Sequence, residues 1–267
     1  MPVRKVVAMP SAKISNTTPY TTYNMCVQAR NSIGTGPISG TVSAQFNCGY
    51  AVISGHNGAI VQSGLNIGDK RYDLYTFTDA TANDLSLTVE TDGLIDLLVV
   101  GGGGGGGTDQ GRINAGGGGG CVRWGMFSVD AGITYPVTVG EGGAVGTYAQ
   151  RVAGTSAFGE ILKCGGGWGG EARYTTGGWN AQGHSGGGSG PGSQMGTTDI
   201  GMKGGGQGGT VYGTQQTDGL PLSITGQEQE YGRGGYSGMP APVANRGDGG
   251  YGGVAGSTGV VIVSVAV

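Results

Sequence analysis

LIDLLVVGGGGGGG, residues 94–107, joins an apolar, strand-like segment directly to seven consecutive glycines. A second glycine run, 116–120, leads straight into CVRW, residues 121–124, which again has the composition of a strand. A flexible linker gives no reason to place apolar segments at such junctions. The junctions therefore predict that these glycines are packed inside the folded protein.

Glycine makes up 64 of the 267 residues, and further runs lie at 165–167 and 204–206. Because glycine loses more backbone entropy on folding than any other residue, so many glycines indicate backbones that approach too closely for a Cβ atom. The Gly-X-Y period of collagen is absent. We therefore expect a bundle of extended polyglycine-II helices, which have no internal hydrogen bonds and must bond to their neighbours. A disordered glycine-rich linker is the other interpretation, and the aromatic residues between the runs argue against it.

Strand signals surround the glycine runs. Period-two or continuous apolar segments predict strands near 72–100, 121–139, 156–163 and 259–267, whereas 51–71 is weakly patterned and predicted as a linker. The last segment, 260–267, is nearly continuous in apolar residues and predicts a closing strand buried on both faces. No segment combines helical periodicity with capping signals. The predicted fold class is all-β, a small β-sandwich-like core with a polyglycine-II helix bundle and no significant α-helix, in one domain over 72–267.

Residues 1–50 have a different character. The segments 23–29 and 41–46 alternate and predict two strands of a hairpin, with a turn at 31–37. The spacing of Pro19, Tyr23, Asn31 and Gly36 resembles the last two strands of a fibronectin type III domain, with Tyr23 at the position of that family's tyrosine corner. The resemblance covers only part of the roughly 100 residues that such a domain needs. It implies a partial fibronectin-like attachment module over 1–50, which either borrows strands from a neighbour or docks as a reduced module on a partner.

The charge balance excludes some partners. With 17 acidic and 14 basic residues and no basic cluster, the chain shows no sign of a nucleic-acid partner. Charged residues are only 12% of the chain, which suits an extended, particle-bound protein better than a cytosolic enzyme. No apolar run is long enough to span a membrane, and the first ten residues do not form a convincing signal peptide. We therefore expect synthesis in a cytosol without a secretory route.

Catalytic and metal-binding patterns are missing. His184 lies beside Ser185 without an obvious third member of a triad, and the glycine runs lack the Lys-Ser/Thr ending of a phosphate loop. We expect no enzyme, no catalytic residue, no metal and no cofactor. The four cysteines have no CxxC spacing. Cys121 and Cys164 each adjoin a glycine run and could face each other, either as a disulfide or, as we favour, as two small buried side chains.

Aromatic residues flanked by glycine are the candidates for recognition. Tyr and Trp give a large contact area at low entropy cost, and they also stack on sugar rings. The receptor-binding candidates are Trp168, Tyr174, Trp179, Tyr212, Tyr231, Tyr236 and Tyr251. The other interpretation is that these rings cover the ends of the glycine bundle. Trp124 lies inside a predicted strand, so a core position is favoured for it.

A resemblance to a known family rests on the order of five segments. They are 75–78 (YTFT), 97–100 (LLVV) followed by polyglycine, 135–140 (YPVTVG), 156–159 (SAFG) and 259–263 (GVVIV). The same order is found in the glycine-rich domains of bacteriophage tail-fibre and virion proteins, and the match extends over 72–267. The glycine-rich ectodomain of the anaplastic lymphoma kinase family is similar. The chain differs from the adhesins of T-even-type long tail fibres in its fibronectin-like start and in the strands before the glycine runs.

The resemblance implies a non-enzymatic virion structural protein on the particle exterior, made in the host cytoplasm. In the tail-fibre adhesins, polyglycine helices form a rigid brick, and the loops between them carry host-receptor specificity. By this analogy, residues 1–50 contact other virion proteins, and inserts between 168 and 251 bind a host surface protein or glycan. The alternatives are a capsid or tail decoration protein and a secreted cellular adhesin. The position on the particle and the oligomeric state stay open, a homo-oligomer included.

Overall fold

The computed structural model describes residues 49–109, 113–145, 152–175, 178–182, 201–203, 219–235 and 240–267, together with the short strands of the N-terminal region. The chain divides into two units, Met1–Gly49 and Tyr50–Val267. The described residues contain no helix, and their strands pair in antiparallel sheets, which confirms the all-β prediction.

The described residues of the N-terminal unit form four short strands: β1 (Thr22–Met25), β2 (Gln28–Arg30), β3 (Thr35–Ile38) and β4 (Val42–Gln45). β1 pairs with β4, which places Tyr23 opposite Ala44, and β2 pairs with β3. The predicted strands 23–29 and 41–46 therefore pair through β1 and β4, but Gln28 and Ala29 belong to β2, whose partner is β3. The predicted turn at 31–37 is wrong in its second half, because Thr35 already begins β3.

The second unit contains the remaining strands. The first group is β5 (Val52–Asn57), β6 (Ile60–Ile67), β7 (Lys70–Phe77), β8 (Ser86–Thr91), β9 (Gly93–Val100), β10 (Gly107–Asp109), β11 (Ile113–Ala115), β12 (Val122–Val129) and β13 (Thr134–Thr138). The second group is β14 (Ser156–Phe158), β15 (Leu162–Cys164), β16 (Glu171–Thr175), β17 (Gly178–Gln182), β18 (Gly201–Lys203), β19 (Leu220–Leu222), β20 (Gln229–Tyr231) and β21 (Val260–Ala266).

Two sheets pack face to face around the main core. The six-stranded sheet has the order β18-β12-β9-β21-β7-β6, and the five-stranded sheet has the order β15-β14-β13-β8-β5. Side chains from both sheets fill the space between them, among them Phe77, Leu87, Val99, Phe158 and Val261. This arrangement is the predicted β-sandwich.

The closing strand β21 lies between β9 and β7 and is buried on both faces, as predicted. Val261 and Val263 point into the core between the sheets, whereas Val260 and Ile262 belong to a second core on the outer face of the six-stranded sheet. The hairpin β19–β20 supplies Tyr231 to this second core. The last strand therefore joins both cores of the unit.

The predicted linker over 51–71 is wrong, because these residues form β5, β6 and the start of β7. β5 and β6 are the edge strands of their sheets, and each has an irregular register. Bulges shift the side-chain alternation, so an edge strand that carries them shows no clear period of two. The single strand predicted over 156–163 is also wrong in detail, since Gly159 turns the chain with a φ of 48° between β14 and β15.

Beyond the strands, glycine-rich segments pack side by side, and we call this assembly the glycine bundle. It comprises 101–106, 116–120, 140–145, 152–154, 165–170, 232–235, 247–250 and 254–259. Backbone hydrogen bonds join each of these segments to others in the bundle. The packing confirms that 101–106 and 116–120 are ordered and close-packed.

Hydrogen bonding in the segment 101–106 repeats every three residues. N–H groups three residues apart donate to the same neighbouring segment: Gly101 and Gly104 to the carbonyls of Cys121 and Gly118, and Gly103 and Gly106 to those of Ser257 and Val254. Gly167 and Gly170 in turn donate to the carbonyls of Gly102 and Gly105. A period of three with bonds only between segments is the signature of polyglycine II.

The absence of side chains in this segment has a direct steric cause. At each position from 101 to 106, a Cβ atom would come closer than 3.0 Å to the backbone of a neighbouring segment. These close approaches also repeat every three residues, since Gly101 faces Gly165 and Gly104 faces Trp168. Glycine is required because the helices touch backbone to backbone.

Candidate functional site

The glycine bundle has two ends of different character. At one end its segments continue into β9, β12, β15 and β21, so this end is occupied by the β-sandwich. The opposite end, which we call the distal end, comprises Gly106, Gly116, 144–145, 168–170 and 251–254. A six-residue polyglycine-II segment spans about 19 Å at ~3.1 Å per residue, and this length separates the two ends.

Three large apolar side chains are exposed at the distal end. The exposed fractions are 52% for Val145, 50% for Trp168 and 46% for Val254. The backbones of Trp168 and Val254 both lie beside the segment 101–106: the Trp168 carbonyl is next to Gly104, and Gly106 donates to the carbonyl of Val254 at 2.8 Å. Large apolar side chains that are exposed at the same end of the bundle indicate an interaction site.

Two hairpins extend the chain beyond the distal end. β10–β11 follows Gly106 and β16–β17 follows Gly170, and the two hairpins contact each other. In β16–β17, Tyr174 is directly opposite Trp179 in the register. Two of the candidate aromatic residues are therefore cross-strand neighbours close in sequence to Trp168. Neither strand of this hairpin was predicted from the sequence.

Tyr251 also belongs to the distal end, but its backbone is part of the packing. It forms an isolated bridge with Gly116 and occupies the space that a Cβ atom on Gly106 would need. Its side chain is half-buried. Tyr251 therefore supports the bundle as well as bordering the exposed surface.

The assignment of Tyr231 as a receptor-binding residue is wrong. Only 2% of its surface is exposed, and it packs in the second core under the hairpin β19–β20. Its hydroxyl donates to Gln229 Oε1 at 3.3 Å, and burial raises the pKa of the Tyr231 phenol. The glycines around Tyr231 suggested an exposed insert. In the structure, the hairpin β19–β20 covers a face of the six-stranded sheet, which is formed by strands far from Tyr231 in the sequence. Tyr212 and Tyr236 lie outside the described residues.

Trp124 is half-buried and packs against the second core, as its place in a strand predicted, but one side of it faces a pocket. The two cysteines next to the glycine runs are free thiols, both buried. The Sγ atoms of Cys121 and Cys164 lie 3.1 Å apart, so the two residues do face each other. The hydrogen bond with Cys164 and the nearby Arg123 lower the pKa of the Cys121 thiol, whereas burial raises that of Cys164.

An ion pair stabilises the bundle from within. Arg233 Nη2 lies 3.1 Å from Asp248 Oδ2, and Asp248 is almost fully buried. The Asp248 carboxylate also accepts the backbone N–H groups of Arg233 and Val243, while its own N–H donates to Ser257 Oγ. Through its carboxylate and its backbone N–H, Asp248 thus connects its own segment to Arg233, Val243 and Ser257, which stabilises the bundle.

The described part of the chain contains neither a metal-binding group of side chains nor a membrane-spanning helix. No group of three or more His, Cys, Asp or Glu side chains is placed to hold a metal ion there. Nor do the described residues include a helix with the length and hydropathy needed to cross a membrane.

A β-sandwich that continues into a packed bundle of polyglycine-II segments defines a glycine-rich domain. The sequence model of the glycine-rich domain family matches residues 79–266, and the chain belongs to that family. No curated protein matches the chain.

Proposed function

We propose that this protein is a non-enzymatic structural protein on the exterior of a bacteriophage virion, and that it binds the host surface as a tail-fibre receptor-binding protein does. The binding surface is the distal end of the glycine bundle. One observation carries this proposal: the sandwich occupies one end of the bundle, while the other presents Trp168, Val145 and Val254 together with two hairpins.

The ordered glycine bundle beneath the distal end favours a role in binding the host surface. Binding costs less free energy when the contact groups are already held in place. The hydrogen-bonded lattice around Gly104 and the Asp248 ion pair provide that order. Large aromatic and apolar side chains on a rigid base are the usual anchors of an interface.

The order of the strand and glycine segments in the chain supports the phage assignment, since it resembles that of tail-fibre glycine-rich domains. In this proposal the N-terminal unit contacts other virion proteins, and the host target is a surface protein or a glycan. The chain as a whole has few charged residues, which favours recognition through apolar contacts and hydrogen bonds.

The test uses virions that carry Trp168→Ala, or Tyr174→Ala with Trp179→Ala. Ile133→Ala is the matched control, because Ile133 is an exposed apolar residue in the turn between β12 and β13, at the sandwich. Incorporation of the protein into particles and adsorption of particles to host cells are measured separately. We expect normal incorporation with reduced adsorption for the distal-end variants and no change for the control.

Other outcomes would contradict the proposal. Reduced incorporation of the distal-end variants, without a separate adsorption defect, would indicate that the distal end contacts the particle and that the protein is a decoration protein. Unchanged incorporation and adsorption would show that the distal end is not a binding surface.

A further inference from the structure

Asp96 is an unexpected residue in its strand. It interrupts the apolar segment 94–100 of β9, which lies inside the six-stranded sheet. In the register, Asp96 is opposite Met126 on β12 and Ser264 on β21. Since residues two apart share a face of a strand, Asp96 lies on the same face as Leu98, which belongs to the second core. A carboxylate in this position needs a specific reason.

A pocket opens above Asp96 on this outer face of the sheet. It has a volume of about 360 Å³, which lies within the range of about 300–1,000 Å³ for ligand sites. Its walls are mostly apolar and aromatic, with Tyr72, Trp124 and Met126 from the sheet and Leu222 and Ile224 from the hairpin β19–β20 and the turn after β19. Asp96 supplies the charge in this lining.

The Asp96 carboxylate is held in a fixed position by Tyr50. The Tyr50 hydroxyl donates to Asp96 Oδ2 at 2.7 Å, and its ring packs edge-to-face on Tyr72 with the centroids 5.9 Å apart. Burial and the adjacent carboxylate raise the pKa of the Tyr50 phenol, so it stays protonated and remains a donor. No Lys or Arg side chain lines the pocket among the described residues. The charged side chain of the lining is therefore a carboxylate that accepts a hydrogen bond from Tyr50, and this chemistry favours a cation over an anion.

We propose that this pocket binds a cationic side chain, a guanidinium or ammonium group, that a partner protein presents. The cation would pair with Asp96 through charge-assisted hydrogen bonds, and the faces of Trp124 and Tyr72 would add cation–π attraction. The aliphatic part of the same side chain would pack on Met126 and Leu222. The pocket lies on the sandwich, so it forms a second interface that is separate from the distal end and does not depend on host binding.

Other ligand classes fit this pocket less well. Asp96 repels an anion. A saccharide presents many hydroxyl groups, whereas the lining offers few polar partners: Asp96, the Tyr72 and Ser223 hydroxyls and the Trp124 indole N–H, with Ser264 almost fully buried. The combination of one carboxylate with two aromatic rings and aliphatic walls matches the chemistry of a long basic side chain.

The test measures binding of N-acetyl-arginine methylamide by two-dimensional NMR. The signals followed are the Trp124 indole N–H and the backbone N–H of Asp96 and Met126. The matched probe is the citrulline analogue, which has nearly the same shape without the charge. We expect saturable shifts with the arginine probe and about tenfold or more weaker binding with citrulline. This comparison uses the unmodified chain and therefore does not depend on the folding of any variant.

Asp96→Asn is the second arm, with Asp130→Asn as its control because Asp130 is an exposed carboxylate next to the turn after β12. Asp96→Asn should bind the arginine probe about tenfold or more weakly than the wild type does, the same loss expected when citrulline replaces arginine. Asp130→Asn should bind the arginine probe like the wild type. Equal binding of both probes, full binding by Asp96→Asn, or the absence of any saturable shift at Trp124 would overturn the proposal. Shifts of the same signals by a methyl glucoside but not by the arginine probe would also overturn it, because they would identify a saccharide site.

Discussion

Gly104 lies against Trp168 so closely that a Cβ atom on Gly104 would meet the Trp168 carbonyl carbon and oxygen at less than 3.0 Å. The glycine is in the middle of the bundle, and the tryptophan is half exposed at the distal end. The contact joins the packing of the bundle directly to the proposed binding surface. A change at the buried glycine should therefore affect both stability and the position of the exposed ring.

Substitution of Gly104 by Ala or Val should destabilise the protein, because a Cβ atom has no space there and the neighbour it meets is backbone. Overpacking of this kind costs about 1–3 kcal/mol, and the branched valine should cost more than alanine. Gly165→Ala is the matched control, since a Cβ atom at Gly165 meets nothing within 4 Å. Urea unfolding of the three variants checks this. Equal stability of Gly104→Val and the wild type would contradict the close packing.

Removal of one partner from the Arg233–Asp248 ion pair should also weaken the bundle. Asp248→Ala leaves a buried guanidinium and two backbone N–H groups without their acceptor, and a loss of about 3–5 kcal/mol is expected for a buried pair. The exposed pair Glu160–Lys163 is the control, and Lys163→Ala should leave the free energy of unfolding nearly unchanged. Similar effects of both substitutions on thermal unfolding would be inconsistent with a structural role for Asp248.

Alkaline pH should destabilise the protein through its buried tyrosines. The pKa values of Tyr50, Tyr75 and Tyr231 are raised, chiefly by burial. The folded state therefore holds these phenol protons more tightly than the unfolded state. Their contribution to stability is complete below the unfolded pKa of about 10 and is lost as the pH rises above it. Urea unfolding between pH 8 and pH 11 should show this decline, with a smaller slope for Tyr50→Phe; an unchanged slope in that variant would be evidence against the burial of Tyr50.

Cys121 and Cys164 should be inert in the native protein, because both thiols are buried. After treatment with a maleimide under native and under denaturing conditions, peptide mass spectrometry should find these two cysteines modified only in the denatured sample. Labelling of either residue under native conditions would show that this part of the core opens readily. A disulfide between them in protein purified under reducing conditions would contradict their assignment as free thiols.

Much of the fold could be predicted from local patterns. The apolar run that ends at Val100 and the glycines after it together predicted a strand that enters a polyglycine helix, and both are present. Successive residues of β21 are almost all apolar. This pattern predicted burial on both faces of the strand, because neighbouring side chains in a strand point to opposite faces. Local patterns were sufficient to predict strands wherever the polarity of the side chains reflects their burial.

The rest depends on long-range packing, for which the sequence holds no local signal. Glycine has no side chain, so nothing in the sequence shows that Gly167 bonds to Gly102. The same limit applies to the candidate site. Trp168 is exposed as expected, but Tyr231 is buried because β19–β20 covers a sheet that is formed by distant strands. The sequence alone does not show that Asp96 lines a pocket, because that depends on which face of the sheet its side chain occupies and on the hairpin β19–β20 that packs beside it.

The glycine segments form a hydrogen-bonded lattice, and amide hydrogen exchange measured by NMR tests this lattice most directly. The N–H groups of Gly102, Gly103 and Gly104 donate to the carbonyls of Gly154, Ser257 and Gly118. We predict that these three amides exchange as slowly as that of Val263 in β21, because all of them open only when the unit unfolds. Exchange of the glycine amides at the rate of an unstructured chain, with Val263 still protected, would contradict the account.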